Sequence, residues 1–146
     1  MTDTPQDARV DVPEGYARHT RHSPLTEPWE PLYTRSDGTS TLIALRVREA
    51  HCNSRGFAHG GLISALADNA MGLSAVMAAR IASGQDSGRA VTVSLTLDFI
   101  ASAQVGDWLE VRPTVLKAGR TMAFADCRIV VGERLVARGS ATFHIG

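Results

Sequence analysis

One carboxylate stands inside the most apolar stretch of this chain. Asp68 lies among Leu66, Ala67, Ala70, Met71 and Leu73, where an ionised group is costly unless it is paired or wet. The pair Gly60-Gly61 opens the same stretch, and a polar run from His51 to His59 leads into it. Glycines at a helix start leave backbone N–H groups uncovered at the positive end of the helix dipole. Such a place binds an anion or polarises a carbonyl oxygen; a tight turn would ask for the same two glycines. Asp68 reads either as a nucleophile or general base, or as a buried aspartate that caps backbone or pairs with an arginine. Asn53 by itself reads as a turn-forming loop residue. A thiol nucleophile at Cys52 would need a histidine and an amide beside it, and no such arrangement is evident.

The elements that must position these groups are legible from periodicity. Thr41 to Arg48 alternates, with Ile43, Leu45 and Val47 on one face and Arg46 and Arg48 on the other, as a strand does. A helix follows from about Gly60 to Ile81, ended by Ser83-Gly84. Its apolar residues surround it, which predicts burial on most sides. Val91, Val93, Leu95, Leu97 and Phe99 alternate with Thr92, Ser94, Thr96 and Asp98. Strands over Trp108–Leu116, Thr121–Val131 and Arg134–His144 are joined by short glycine-bearing links and form a meander of hairpins. One long helix and about five strands make an α+β domain. Five of the six prolines lie in residues 1–31, so that segment cannot run as a helix or central strand. We expect its early part to be flexible and the part around Trp29 and Leu32 to pack on a domain spanning 32–146.

The run Asn53-x-x-Gly56-x-x-His59-Gly60-Gly61, with Asp68 seven residues on, resembles the hotdog-fold acyl-CoA thioesterases of the phenylacetyl-CoA thioesterase type. The resemblance extends from roughly Thr41 to Gly146. It implies an antiparallel sheet of about five to six strands wrapped around one long central helix. It implies that the Gly60 amide serves as oxyanion donor and that Asp68 attacks a thioester carbonyl or activates water. Asn53 would orient that water or contact the thioester, and His59 would fix the loop and assist. Thr92 matches a position whose hydroxyl supports the carboxylate and water, although threonine is also simply a good strand former. Gly61, Phe57, Leu62, Met71 and Phe99 would line the substrate side. Coenzyme A phosphates need cations; Lys117, Arg120, Arg55, Arg89 and Arg134 are the candidates, and each reads equally as a surface charge.

Spacing adds an argument about assembly. Asp68 lies eight residues beyond Gly60, roughly 12 Å of helix rise. A reacting carbonyl must lie about 3 Å from both donor and attacking group. One chain cannot easily supply both, whereas two antiparallel copies can. The expectation is a homodimer at least, with a homotetramer as the larger assembly, and the resemblance likewise implies sites shared between subunits.

Composition narrows the classes. Fifteen basic residues balance fifteen acidic ones, which favours neither nucleic acid nor a membrane surface as partner. No metal-ligand spacing or nucleotide-binding glycine loop is present, and His19 and His22 read as solvated loop histidines. No metal or redox cofactor is implied. Two cysteines make no disulfide framework, and Cys127 reads as a small buried hydrophobe. The N-terminus has no apolar signal region, and Leu62–Met77 is interrupted by Ser64, Asp68 and Asn69. The chain therefore reads as soluble and cytoplasmic, an enzyme hydrolysing an acyl-CoA with an aromatic or medium-chain acyl group. A non-catalytic acyl-CoA-binding module is the main rival. An enoyl-CoA hydratase would need a histidine closely following its aspartate, whereas His59 precedes Asp68 by nine residues.

Overall fold

The computed structural model describes residues 11–86 and 88–146; the expected flexibility of the first ten residues lies outside them. The stretch Gly60–Ser83 is one 24-residue helix, α1. His59 caps its start, and Gly84 ends it in the left-handed conformation, at φ 70°. The buried residues of α1 are Leu62, Ile63, Leu66, Ala67, Ala70, Met71, Ser74 and Ala75. They recur as pairs every four positions and so form one stripe. The prediction of burial on most sides is corrected here. The second face is also apolar, and the described residues cover it only in part: Leu73, Val76 and Met77 are half-buried and Ile81 is 66% exposed. By length and composition alone α1 could cross a bilayer; in this fold its apolar stripe is spent on a sheet.

That sheet has seven strands: β1 (Ala17–Arg18), β2 (Tyr33–Ser36), β3 (Thr41–Arg46), β4 (Ala90–Phe99), β5 (Trp108–Ala118), β6 (Met122–Val131) and β7 (Arg134–Ile145). The order is β1-β2-β3-β5-β6-β7-β4, with every neighbouring pair antiparallel. Five strands are those the alternation picks out. The other two are β1, which comes from the proline-rich segment, and β2; with two and four residues they are too short to show a period. The meander β5-β6-β7 stands as read, and β4 returns to its far side as an edge strand. Helix α1 packs across the sheet, and the core is Ile43, Leu45, Leu109, Val111, Ile129, Val136 and Phe143 against Leu66 and Met71. Burying each such side chain contributes about 1.5–3 kcal/mol.

The proline-rich segment is tied to the loop that leads into α1. Thr26 and Leu32 are buried, and Trp29 packs on the core. Arg48 donates to the carbonyls of Pro28 and Glu30, both at 2.9 Å. Buried His51 accepts the Arg48 N–H on Nδ1 at 3.0 Å, so its neutral ring carries the proton on Nε2 and donates it to the Trp29 carbonyl at 2.8 Å. The His51 carbonyl in turn accepts the His59 N–H at 2.9 Å. Burial, aided by the Arg48 charge and opposed by the Trp29 bond, holds the His51 pKa below its ordinary value. A protonated ring could no longer accept from Arg48.

Because the folded pKa is depressed, the stability His51 contributes is present above the unfolded value of 6.5 and is lost as pH falls through the folded one. Melting temperature should therefore drop as pH is lowered below about 6.5. In His51→Gln, whose side chain can still accept and donate but does not titrate, that part of the slope should vanish, at a cost of roughly 1–3 kcal/mol at neutral pH. Parallel pH–melting curves for the two proteins would refute the latch.

Candidate active site

A bulge in β4 brings a hydroxyl to the carboxylate of α1. Simple alternation would set Thr92 on the face opposite Leu95 and Leu97. The register instead shifts between Thr92 and Ser94, with Val93 as the extra residue. Thr92 then lies opposite buried Phe143, on the same face as Leu95, which lies opposite Ala141. Thr92 Oγ1 donates to Asp68 Oδ1 at 2.7 Å. The same shift turns Val91 outward opposite His144, where it is 63% exposed.

The expectation that Asp68 sits in apolar surroundings is corrected by its helix position. Ala67 and Ala70 face the sheet, but about 100° of turn per residue carries Asp68 and Asn69 to the open side. Asp68 is half-buried, and it lines an open cavity of about 710 Å³. One wall of that cavity is Asp68, Asn69, Gly72, Leu73, Val76, Met77, Arg80 and Ile81 of α1; Arg89 to Thr92 form another. The carboxylate is thus open to the cavity and held on one oxygen by Thr92. Its second oxygen, Oδ2, has no partner among the described residues and is free to take a proton or to attack.

At the helix start, His59 Nδ1 accepts the Gly61 N–H at 2.8 Å. The neutral His59 ring therefore carries its proton on Nε2. This settles what each glycine can do. A Cβ at Gly61 would come within 3.0 Å of His59 Nδ1, so glycine is what lets the imidazole close over the turn. The Gly61 amide is used by that bond and is no free donor. The Gly60 N–H makes no hydrogen bond among the described residues, and its carbonyl accepts from Ser64 at 2.8 Å. The Phe99 ring stands 3.3 Å from where a Gly60 Cβ would be. Gly60 is therefore the available donor at the positive end of α1.

The other expected site residues divide. Asn53 Oδ1 accepts from the N–H groups of Arg55 and Phe57, at 2.9 and 3.2 Å, so it organises its own loop as a turn asparagine does and leaves its NH2 group outward. Phe57 and Phe99 are partly exposed, at 37% and 54%. Leu62 and Met71 are 2% and 0% exposed, in the core beneath the helix and away from the cavity, because both belong to the buried stripe. Lys117 and Arg120 are exposed at the β5–β6 hairpin and are not part of the cavity wall. Arg134 is engaged by the Ser102 carbonyl at 2.7 Å and by Asp107 at 3.6 Å. Arg89 does line the cavity. Periodicity overlooks the cavity residues Leu73, Val76, Met77 and Arg80. The signal was the four-residue spacing Asp68, Gly72, Val76, Arg80. His19 and Arg21 also line the cavity, from irregular chain that has no period to read. Burial and the Glu49 charge push the Cys52 thiol up, and burial foremost pushes Cys127 up to about 11, so neither is an activated nucleophile.

The family model described as the thioesterase superfamily matches residues 55–138, over half of the chain. The chain belongs to the thioesterase superfamily. Its helix wrapped by an antiparallel sheet is the hotdog fold, as the resemblance implies. A Pseudomonas aeruginosa protein named "Putative esterase PA0474" is 48% identical, over 93% of this chain and 98% of its own length. Human acyl-coenzyme A thioesterase 13 is 31% identical over 72% of each chain. A mutant of the phenylacetic acid degradation protein PaaI from Thermus thermophilus superposes with a TM-score of 0.70. It is 27% identical and covers 84% of this chain and 98% of that one. The superfamily match contains Asp68, Gly60, Gly61 and Thr92.

The Thr92–Asp68 bond yields a test. Thr92→Val nearly preserves shape and should lower kcat for thioester hydrolysis by roughly 10- to 100-fold, with little change in KM. Thr92→Ser should keep most of the rate, and neither change should move the melting temperature much, since Thr92 is exposed on a strand that favours Val as well. An unaltered kcat in folded Thr92→Val would reduce Thr92 to a strand residue.

Proposed function

We propose that this protein hydrolyses an acyl-CoA thioester to the free acid and coenzyme A, with Asp68 as the reacting carboxylate. The observation that carries this reading is the Thr92–Asp68 hydrogen bond on the wall of an open cavity. Thr92 holds Oδ1, and Oδ2 takes a proton from water as the water oxygen attacks the thioester carbon. The carbonyl oxygen gains the negative charge and is met by a Gly60 N–H. As the C–S bond breaks, the thiolate leaves and takes the proton back from Asp68. Direct attack by Oδ2, giving an anhydride that water then opens, uses the same groups. A single turnover in ¹⁸O-water separates the routes, because only the anhydride route can leave the label in Asp68.

Coenzyme A as the carrier is supported by the relationship to human acyl-coenzyme A thioesterase 13. The apolar wall Gly72, Leu73, Val76 and Met77 supports a medium-chain acyl group, and the name of the Thermus neighbour supports an aromatic one. Two unpaired thiols, Cys52 and Cys127, support a reducing, cytoplasmic setting.

The donor and the carboxylate come from different subunits in this proposal. Both lie on one unbroken helix, roughly 12 Å apart along its axis. Strand β4 supports the pairing: it is a ten-residue edge strand with Val91, Val93 and Phe99 at least 54% exposed. Long apolar edges of this kind seek a partner strand, and two β4 strands meeting antiparallel would set one helix start toward the other helix middle.

Free thiol released from a panel of acyl-CoAs tests the activity. Asp68→Asn should remain folded and lose turnover by about 10³-fold or more. Gly60→Pro should also be inactive, since proline is tolerated at the first helical position but has no N–H. Mixed and reassembled, the two inactive proteins should regain activity, because hybrid dimers hold one complete site. Release of no thiol by the wild type would sink the enzyme reading; a fully active monomer in sedimentation would sink the shared site.

A further inference from the structure

The cavity has two chemically opposite ends. Asp68, Gly72, Val76 and Arg80 follow one another at every fourth position along α1. From Asp68 to Arg80 is roughly 18 Å of helix rise, and an arginine side chain leans back toward the helix start by part of that. Between them the helix wall is polar at Asn69 and apolar at Leu73, Val76 and Met77. Three cations line the same cavity, each from a different element: Arg80 from the last turn of α1, Arg89 from just before β4, and Arg21 from the proline-rich segment. None of the three makes an ion pair or side-chain hydrogen bond among the described residues. Other arginines of this chain do: Arg112 with Glu110, Arg134 with Asp107, Arg138 with Asp98. Asp68 is the only acidic residue of the cavity wall among the described residues.

A cation in the last turn of a helix is by itself explained by the helix dipole. That accounts for Arg80 and for neither Arg89 nor Arg21. Three cationic residues on one cavity raise the local concentration of anions, and the described residues of its wall hold no second carboxylate beside Asp68.

We propose that the cavity selects acyl chains that end in an anionic group, such as the monothioesters of dicarboxylic acids. Arg80, Arg89 and Arg21 grip that distal carboxylate while Asp68 and Thr92 act on the thioester at the other end. This inference rests on the thioesterase reading. The carboxylate source is favoured over coenzyme A phosphates because Leu73, Val76 and Met77 make the helix wall before Arg80 apolar, which suits a hydrocarbon chain. Guanidinium groups hold a carboxylate bidentately and in a fixed geometry.

The test compares dodecanedioyl-CoA with dodecanoyl-CoA in the wild type, in Arg80→Gln, in Arg89→Gln and in the double variant. All three arginines are exposed and unpaired, so the fold should tolerate these changes. The ratio of kcat/KM, dicarboxylic over plain, should exceed one in the wild type. It should fall about tenfold or more in the double variant, chiefly through KM. A ratio that the variants leave unchanged overturns the proposal. So does an equal rise of KM for both substrates, which would assign the cations to coenzyme A phosphates. Cleavage of other acyl-CoAs but of neither of these two overturns the proposal; should the wild type cleave no acyl-CoA of the panel, the thioesterase reading fails, and the cavity is then judged by binding alone. Calorimetric titration should show the monomethyl ester of dodecanedioic acid binding about tenfold or more tighter than methyl dodecanoate, with the preference lost in the double variant. Equal binding of the two esters, or none, overturns it.

Discussion

The two faces of α1 cannot serve the same purpose, and the site depends on that division. A helix that packs on a sheet through pairs at every fourth residue has a dry stripe and, about half a turn away, a stripe that the described residues cover only in part. Asp68 falls on the second stripe. On the first it would need to be neutral, or matched by a buried cation; on the second it needs only water and one good donor. Thr92 is that donor. A carboxylate held this way retains a free oxygen, which a fully paired buried aspartate would not.

The donor is in place only because β4 is irregular. With strict alternation the strand would turn Val91 and Val93 toward the helix and Thr92 toward solvent. One extra residue before Ser94 inverts the order for the first part of the strand, while Leu95, Leu97 and Phe99 keep facing inward. Bulges are favoured at sheet edges, where no further strand has to follow the kink, and β4 is an edge. Edge position, bulge and hydrogen bond are one arrangement. The same edge exposes Val91 and Val93, which is why the strand that completes the site within a chain is also the strand best suited to meet a second copy.

Much of this was readable beforehand, and the failures have physical causes. The helix limits, the hairpin links and the core strands follow from periods of 3.6 and 2 and from glycine positions, so α1 ends at Ser83-Gly84 and β7 begins at Arg134 as expected. The pairing of Thr92 with Asp68 entered through family resemblance and ran against the strand alternation; a bulge has no signature in a run of alternating Val, Thr and Ser. The expectation that Met71 and Leu62 line the substrate side fails for a geometric reason. On a helix, neighbours in sequence point in different directions, and the residues that share the face of Asp68 are Gly72, Val76 and Arg80. The role of His51 is not legible locally: its bond from the Arg48 N–H closes one short turn, but Trp29 meets it only through tertiary structure.

The irregular N-terminal segment then acquires a reason to be part of the domain. It reaches the two ends of the functional region by different routes. Through the Trp29 carbonyl and His51 it supports the loop whose last residue, His59, closes over Gly61 and leaves the Gly60 amide as the open donor. Through His19 and Arg21 it lines the cavity that also holds Asp68. A loop that presents a backbone donor must hold its geometry to a fraction of an ångström to be useful, and glycines provide no rigidity of their own. Here the rigidity is borrowed: the freedom of Gly60 and Gly61 is removed by the imidazole of His59, whose backbone is fixed by His51, whose ring is fixed by a proline-rich segment with few conformations to lose.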